Sequence, residues 1–227
     1  MIRRLGRGRF ITFEGGEGAG KSTQVERLRR RLEAREIETV VTREPGGTPR
    51  AERIRRSLLA GEAKRFGPFA EAILFSAARM DHLDKVIRPS LARGAFVLCD
   101  RFADSTRAYQ GVLGAIDLNL IEALERAVVG GDRPDLTLIL DVPADIGHRR
   151  AASRRGDGEA DRFEAEEGGY HDRLRQAFLG IAEREPDRCM VIDAGRDADT
   201  VEADVWRVVA ERFLDRPMNV EDKAHAG

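Results

Sequence analysis

Apolar residues along the chain fall into short continuous runs, separated by longer stretches with helical spacing. Five runs read as strands: RFITFEG (9–15), IETVVTRE (37–44), AFVLCD (95–100), LTLILDV (136–142) and CMVIDA (189–194). Their continuous apolar character predicts strands buried on both faces, as in a parallel sheet. Residues 21–36 place Val25, Leu28 and Leu32 on one helical face. Further helices are predicted over 49–60, 67–92, 117–129, 145–154, 168–184 and 197–214. Strand and helix in alternation predict an α/β, doubly wound, five-stranded parallel sheet flanked by helices.

The chain has 227 residues, enough for one sizeable core with a short lid. The expected organisation is a basic tail over 1–8, a single domain over 9–214, and a disordered tail over 215–227 that has little to bury. The charged, glycine-containing stretch RRGDGEAD (154–161) breaks the pattern and is expected to be a loop inside a lid over about 149–164. Net charge is -1 with the two signs interspersed, which gives no general field for nucleic acid. The N-terminal MIRRLGRGR has no apolar segment behind it, and no apolar run approaches ~20 residues. Neither a secretory leader nor a membrane span is therefore expected, and the expected compartment is the cytoplasm. Cys99 and Cys189 sit in predicted strands without metal-ligand spacing and are expected as buried thiols.

Gly15, Gly16, Glu17, Gly18, Ala19, Gly20, Lys21 and Ser22 fit G-x-x-x-x-G-K-[ST] between a strand and a helix, with Thr23 next. Glycine lets successive N–H groups turn inward around a phosphate, and the helix behind offers its positive end. Lys21 is placed to reach the β- and γ-phosphates, and Ser22 to ligate Mg²⁺. A bound nucleoside triphosphate follows, which leaves GTPases, ATPases and small-molecule kinases open. The run AFVLCD ends in Asp100, with Arg101 next, where open α/β sheets bind ligands. Asp100 is expected to hold magnesium or its waters, with an ordinary ion-paired strand end as the alternative. No Asn-Lys-x-Asp stretch is present to read guanine. Arginines placed after strands suit a kinase, because phosphoryl transfer mostly requires positioning and charge neutralisation.

FEGGEGAGKST (13–23), TREPGGT (42–48), ILFSAARMDH (73–82), DRFADSTRAYQG (100–111) and RPDLTLILDV (133–142), in that order, resemble the thymidylate kinase family. The resemblance implies a P-loop kinase fold, ATP and dTMP as substrates, Mg²⁺ as cofactor, and a homodimer; the helix over 67–92, apolar between Phe69 and Ala78, is the candidate for part of its interface. It implies that Glu17 accepts from the 3′-hydroxyl of dTMP, that Phe75 stacks on thymine and that Arg79 donates to a base carbonyl. Arg101 would hold the 5′-phosphate. Ser105, Thr106 and Gln110 would lie beside the nucleoside, and Tyr109 would crowd the ribose 2′ position. Pro45 would form part of the acceptor floor, Glu44 would orient arginines such as Arg101, and Arg150 would flank the adenine. Some members carry a P-loop arginine where this chain has Gly18. Here the likeness is to the bacterial subclass with a catalytic lid arginine, for which Arg154, Arg155 and Arg162 are the candidates. Residue chemistry agrees in part. Phe75 and Arg79 share a helical face, although a phenylalanine in such a stripe is otherwise a core residue. A carboxylate in an anion-binding loop, as at Glu17, needs a donor partner. The rival readings are a kinase for another pyrimidine nucleoside monophosphate and a P-loop protein that senses ATP without turnover.

Overall fold

The computed structural model describes residues 7–155 and 169–215. The elements run β1 (Phe10–Glu14), α1 (Lys21–Glu33), β2 (Thr39–Arg43), α2 (Pro49–Leu59), α3 (Gly67–His82), α4 (Arg88–Ala92), β3 (Phe96–Asp100), α5 (Ala103–Thr106), α6 (Leu118–Val129), β4 (Leu136–Asp141), α7 (Ala144–Arg155), α8 (Tyr170–Arg184), β5 (Cys189–Asp193) and α9 (Ala198–Phe213). The strands make one parallel sheet in the order β2-β3-β1-β4-β5. β1 is buried along its whole length, and β3 and β4 along all but their last residue, whereas β2 and β5 are partly exposed at the edges. This is why the three inner runs lack polar alternation. Thr12 and Thr137 are the polar interruptions of β1 and β4, and their hydroxyls bond each other at 2.8 Å.

Sequence signals account for most boundaries. Thr48 caps α2 by accepting from the Ala51 N–H, with Pro49 in the first turn, and Asp197 caps α9 through Asp199 and Thr200. No side chain caps α1, whose N-terminus follows Gly20 in a left-handed conformation (φ 86°). The single helix expected over 67–92 is divided into α3, a π-helical turn over Leu83–Ile87, and α4. Pro89 supplies the cause, because it has no N–H and its ring displaces the carbonyl four residues back.

The main core lies between the sheet, α1 and α9, and includes Ile11, Phe13, Leu28, Leu32, Phe96, Leu138 and Val205. A second cluster packs α4 and Phe102 on the other face, and a third packs α8 against Tyr109 and Ile139. Cys99 and Cys189 are buried free thiols. Leu32 is fully buried and remote from the sheet's C-terminal edge. Leu32→Ala is expected to destabilise the fold by about 2–5 kcal/mol, seen as a lower urea midpoint at unchanged slope.

Candidate active site

Backbone pairing brings the site together. Phe13 stands opposite Asp100, and Arg43 stands opposite Asp100 from the other side. The pairing continues past the strands: the Arg101 N–H donates to the Phe13 carbonyl (2.9 Å) and the Glu44 N–H to the Asp100 carbonyl (3.0 Å). The glycine loop after β1, the Asp100–Arg101 pair after β3 and Glu44–Pro45 after β2 therefore open side by side at the sheet's C-terminal edge.

Two clefts share that edge. The first, about 900 Å³ with its mouth, is lined by Gly18, Gly20, Lys21, Ser22, Thr23, Arg43 and Asp100. The second, about 640 Å³, is lined by Pro45, Leu59, Phe75, Arg79, Phe102, Ser105, Thr106, Tyr109 and Gln110. Glu17, Glu44, Arg55 and Arg101 line both.

In the first cleft, the Lys21 ammonium donates to the Gly15 and Gly16 carbonyls at 3.2 and 2.8 Å. Burial, helped by the Arg101 charge, pulls its pKa below the ordinary lysine value. The Ser22 hydroxyl donates to Asp100 Oδ2 at 2.6 Å, which sets two hard oxygen ligands together. Arg150, on α7, donates to the carbonyls of Ala194, Gly195 and Arg196 at 2.7–3.2 Å. This ties α7 to the loop after β5.

In the second cleft, Arg101 takes a left-handed conformation (φ 69°) and is held by the Gly15 carbonyl (3.1 Å), the Ser105 hydroxyl (3.2 Å) and Glu17 (2.6 Å). Tyr109 also donates to Glu17, at 3.2 Å, and burial raises its phenol well above the usual range so that it remains a donor. The donors that the Glu17 carboxylate needs are thus present within the protein. Arg79, 3% exposed, donates Nε–H to Glu44 (2.7 Å) and Nη2–H to Thr106 (3.1 Å). Gln110 approaches Glu71 at 3.5 Å. Phe75 and Arg79 do project from one face of α3 into this cleft.

Glu44 does hold an arginine, as expected, but it is Arg79 and not Arg101; its other oxygen takes His82. Glu44 leaves β2 on the α3 side of the sheet edge, whereas Glu17, in the loop after β1, is the carboxylate within reach of Arg101. The side chains of Arg154 and Arg155, and the whole of Arg162 with the loop over 156–168, lie outside the described residues.

The Thymidylate kinase family profile matches residues 13–205. The thymidylate kinase of Bradyrhizobium diazoefficiens is 56% identical over 218 residues, covering 96% of each chain. That of Nitrobacter hamburgensis is 57% identical over 208 residues, covering 92% of this chain and 90% of the other. The chain belongs to the thymidylate kinase family. The crystal structure of the Ehrlichia chaffeensis thymidylate kinase superposes with a TM-score of 0.71 at 37% identity, covering 90% of this chain and 99% of that one.

For a thymidylate kinase without a P-loop arginine, the surroundings of Gly18 are informative. A Cβ placed there would lie 1.9 Å from the Gly147 carbonyl oxygen on α7, and Gly18 has φ 67°. A Cβ on Gly147 would in turn lie 2.5 Å from the Glu17 carbonyl oxygen. Loop and helix touch backbone to backbone at this point.

Several residues of the site escape the sequence reading. Arg43, Leu59 and Phe102 stand in the cleft walls. Arg55, from α2, lines both clefts and donates to the Pro45 carbonyl at 3.0 Å. His82 is fully buried against Glu44. Glu14, also fully buried, accepts from the Phe102 and Ser105 N–H groups (2.7 and 3.3 Å) and from the Ser105 hydroxyl (2.6 Å). A charged residue ending an apolar strand was the available signal for Glu14. Helical proximity to Arg79 was the signal for His82.

Burial, with Asp104 nearby, pushes the Glu14 carboxyl up to about 7, against the pull of Arg101 and of its Ser105 and Phe102 hydrogen bonds. The folded state thus holds this proton more tightly than the unfolded state. The stability it brings is fully present below the ordinary value of 4.5 and is lost as pH rises through about 7. Glu14→Gln cannot ionise. Urea unfolding across this window is expected to show wild type losing stability relative to the variant as pH rises, then levelling. A difference independent of pH would mean that Glu14 is charged throughout.

Proposed function

We propose that the chain, as one domain over 9–214, transfers the γ-phosphoryl group of ATP to the 5′-phosphate of dTMP by direct in-line displacement. The observation that carries this reading is the meeting of two clefts, one built on the glycine loop and one on an aromatic and arginine-lined floor, at Glu17, Glu44, Arg55 and Arg101. A donor and an acceptor nucleotide seated in them would bring their phosphates together at that junction.

ATP fits the first cleft. The residue 15–23 backbone cradles its phosphates, Lys21 swings from the Gly15 and Gly16 carbonyls to the β- and γ-oxygens, and Arg150 stands beside the adenine. Ser22 and Asp100 present oxygen ligands of the kind Mg²⁺ takes alongside phosphate and water. When bound, the ion neutralises charge on the β- and γ-oxygens. In the second cleft Arg101 takes the 5′-phosphate, Glu17 the 3′-hydroxyl and Tyr109 excludes a 2′-hydroxyl. Phe75 stacks on the base, Arg79 reads its carbonyl, and Pro45, Ser105, Thr106 and Gln110 complete the walls.

The proposed assembly is a homodimer. Phe69, Ile73 and Met80 stand 40–48% exposed on α3, an apolar strip that suits a second copy of the chain. No helix among the described residues is long and apolar enough to cross a membrane. The proposed compartment is the cytoplasm.

The decisive assay is ADP release with ATP and Mg²⁺ across the common nucleoside monophosphates. dTMP is expected to be the best acceptor, dUMP weaker and purine monophosphates negligible; faster turnover of dGMP or UMP would overturn the reading.

Charge stabilisation in the transition state is assigned to the lid, since the P-loop has no arginine. Lys21 is a single cation, whereas the transferring group spreads its charge over three oxygens. The triple variant Arg154→Ala, Arg155→Ala, Arg162→Ala is expected to lose on the order of a thousand-fold in kcat with much smaller changes in either KM. Near-normal kcat would make the lid a passive cover.

A further inference from the structure

Arg79 does not stand alone in the acceptor cleft. Its Nε–H is committed to Glu44 Oε2 at 2.7 Å and its Nη2 to the Thr106 hydroxyl at 3.1 Å, while the guanidinium lies 5.0 Å over the Phe102 ring. The other Glu44 oxygen is 3.0 Å from His82 Nδ1, and His82 Nε2 is 2.7 Å from the Thr42 hydroxyl on β2. His82 is 0% exposed, Arg79 3% and Glu44 5%. A chain of polar contacts thus runs from the edge strand, through buried groups, to the face that meets the base.

The chemistry fixes how the chain is wired. A carboxylate only accepts, so the proton facing Glu44 sits on His82 Nδ1. In the neutral ring, Nε2 then accepts from the Thr42 hydroxyl. The ring is also held sterically. A Cβ on Gly47 would lie 2.6 Å from His82 Cδ2 and Nε2 and 2.7 Å from the Thr42 hydroxyl oxygen, so the turn after Pro45 closes directly over the imidazole. Glu44 has little freedom between its two donors, and Arg79 has little freedom while Glu44 is fixed. With Nε–H and one Nη2–H committed, the N–H groups of Nη1 and the second Nη2–H are left to address a base.

We propose that His82 is a positioning residue for base selection, which through Glu44 fixes the guanidinium of Arg79 in the acceptor cleft. This rests on the reading that Arg79 donates to a base carbonyl. A donor held in one orientation favours thymine, which offers a carbonyl, over cytosine, which offers an amino group at the corresponding position. A guanidinium free to turn discriminates less. The effect belongs to acceptor binding and choice of base, because Arg79, His82 and Thr42 do not line the donor cleft and Glu44 alone of these groups reaches the phosphate junction.

The test is steady-state kinetics with dTMP and dCMP as alternative acceptors, on wild type and four variants. Arg79→Met removes the donor and calibrates the reading. It is expected to collapse the dTMP-to-dCMP ratio of kcat/KM, and an unchanged ratio would overturn both the base-reading role and this inference. His82→Leu keeps the ring's bulk but leaves Glu44 short of a donor. It is expected to raise the KM for dTMP about tenfold and shrink that ratio by a similar factor, with kcat and the KM for ATP within about threefold of wild type. His82→Asn restores an N–H toward Glu44 and is expected to regain most of the ratio. Thr42→Val acts from the far side of the ring with little change of shape, and remains informative if His82→Leu folds poorly. It is expected to raise the dTMP KM by a few-fold, with the same selectivity trend. If Arg79→Met collapses the ratio while His82→Leu and Thr42→Val leave it intact and only lower thermal stability or kcat, His82 fills the core and does not position Arg79.

Discussion

Two backbone hydrogen bonds continue the sheet one residue beyond its strands, from Arg101 to the Phe13 carbonyl and from Glu44 to the Asp100 carbonyl. They place three connecting segments at one level, although these come from widely separated parts of the chain. The glycine loop, the Asp100–Arg101 turn and the Glu44–Pro45 turn each inherit their position from this pairing. Parallel strands make it possible, because all of them end at the same edge.

Carboxylates do the next part of the organising. Glu14, Glu17 and Glu44 follow one another around the site, and each holds a separate piece of it. Glu14 gathers the segment after Arg101, Glu17 gathers Arg101 with Tyr109, and Glu44 gathers Arg79 with His82. Arginines gathered around the two clefts, such as Arg79 and Arg101, would otherwise repel one another in a confined space. Interleaving acceptors holds them apart and aimed, and the donors on Glu14 and Glu44 offset part of the cost of burying them, although burial still pushes the Glu14 carboxyl up to about 7. Below this layer, Asp104 is paired with Arg188 at 2.7 Å and reaches Thr137 of β4 at 3.3 Å. The segment carrying Thr106 and Tyr109 is thereby tied to the sheet.

What the sequence discloses divides along contact distance. All five strands were legible to within a residue or two at each end, because burial on both faces leaves an unbroken apolar run. The phosphate loop was legible because its residues are contiguous. Phe75 and Arg79 were legible as a pair because one helix carries both. Glu14 was not, because its partners lie 88 and 91 residues further along the chain. His82 acquires a role only once β2 is known to lie beside α3. Arg55 is one of four arginines, with Arg50, Arg53 and Arg56, in a single short helix, and nothing local distinguishes it. Glu44 was expected to hold an arginine, but which one was not legible for the same reason: only the packing of β2 beside α3 shows that it faces Arg79, while Glu17 faces Arg101.

The backbone contact between Gly18 and Gly147 carries a consequence for how such enzymes can change. An arginine entering the glycine loop at position 18 would meet the α7 backbone before its guanidinium reached any phosphate. The helix would have to move first. Because α7 runs on to Arg155, that movement would also shift the end of the helix from which the chain departs. Placing a cation in the loop is therefore not a single-residue change. A substitution at position 18 alone would set the loop against the α7 backbone. An engineered loop cation would require the loop and α7 to be rebuilt as one unit.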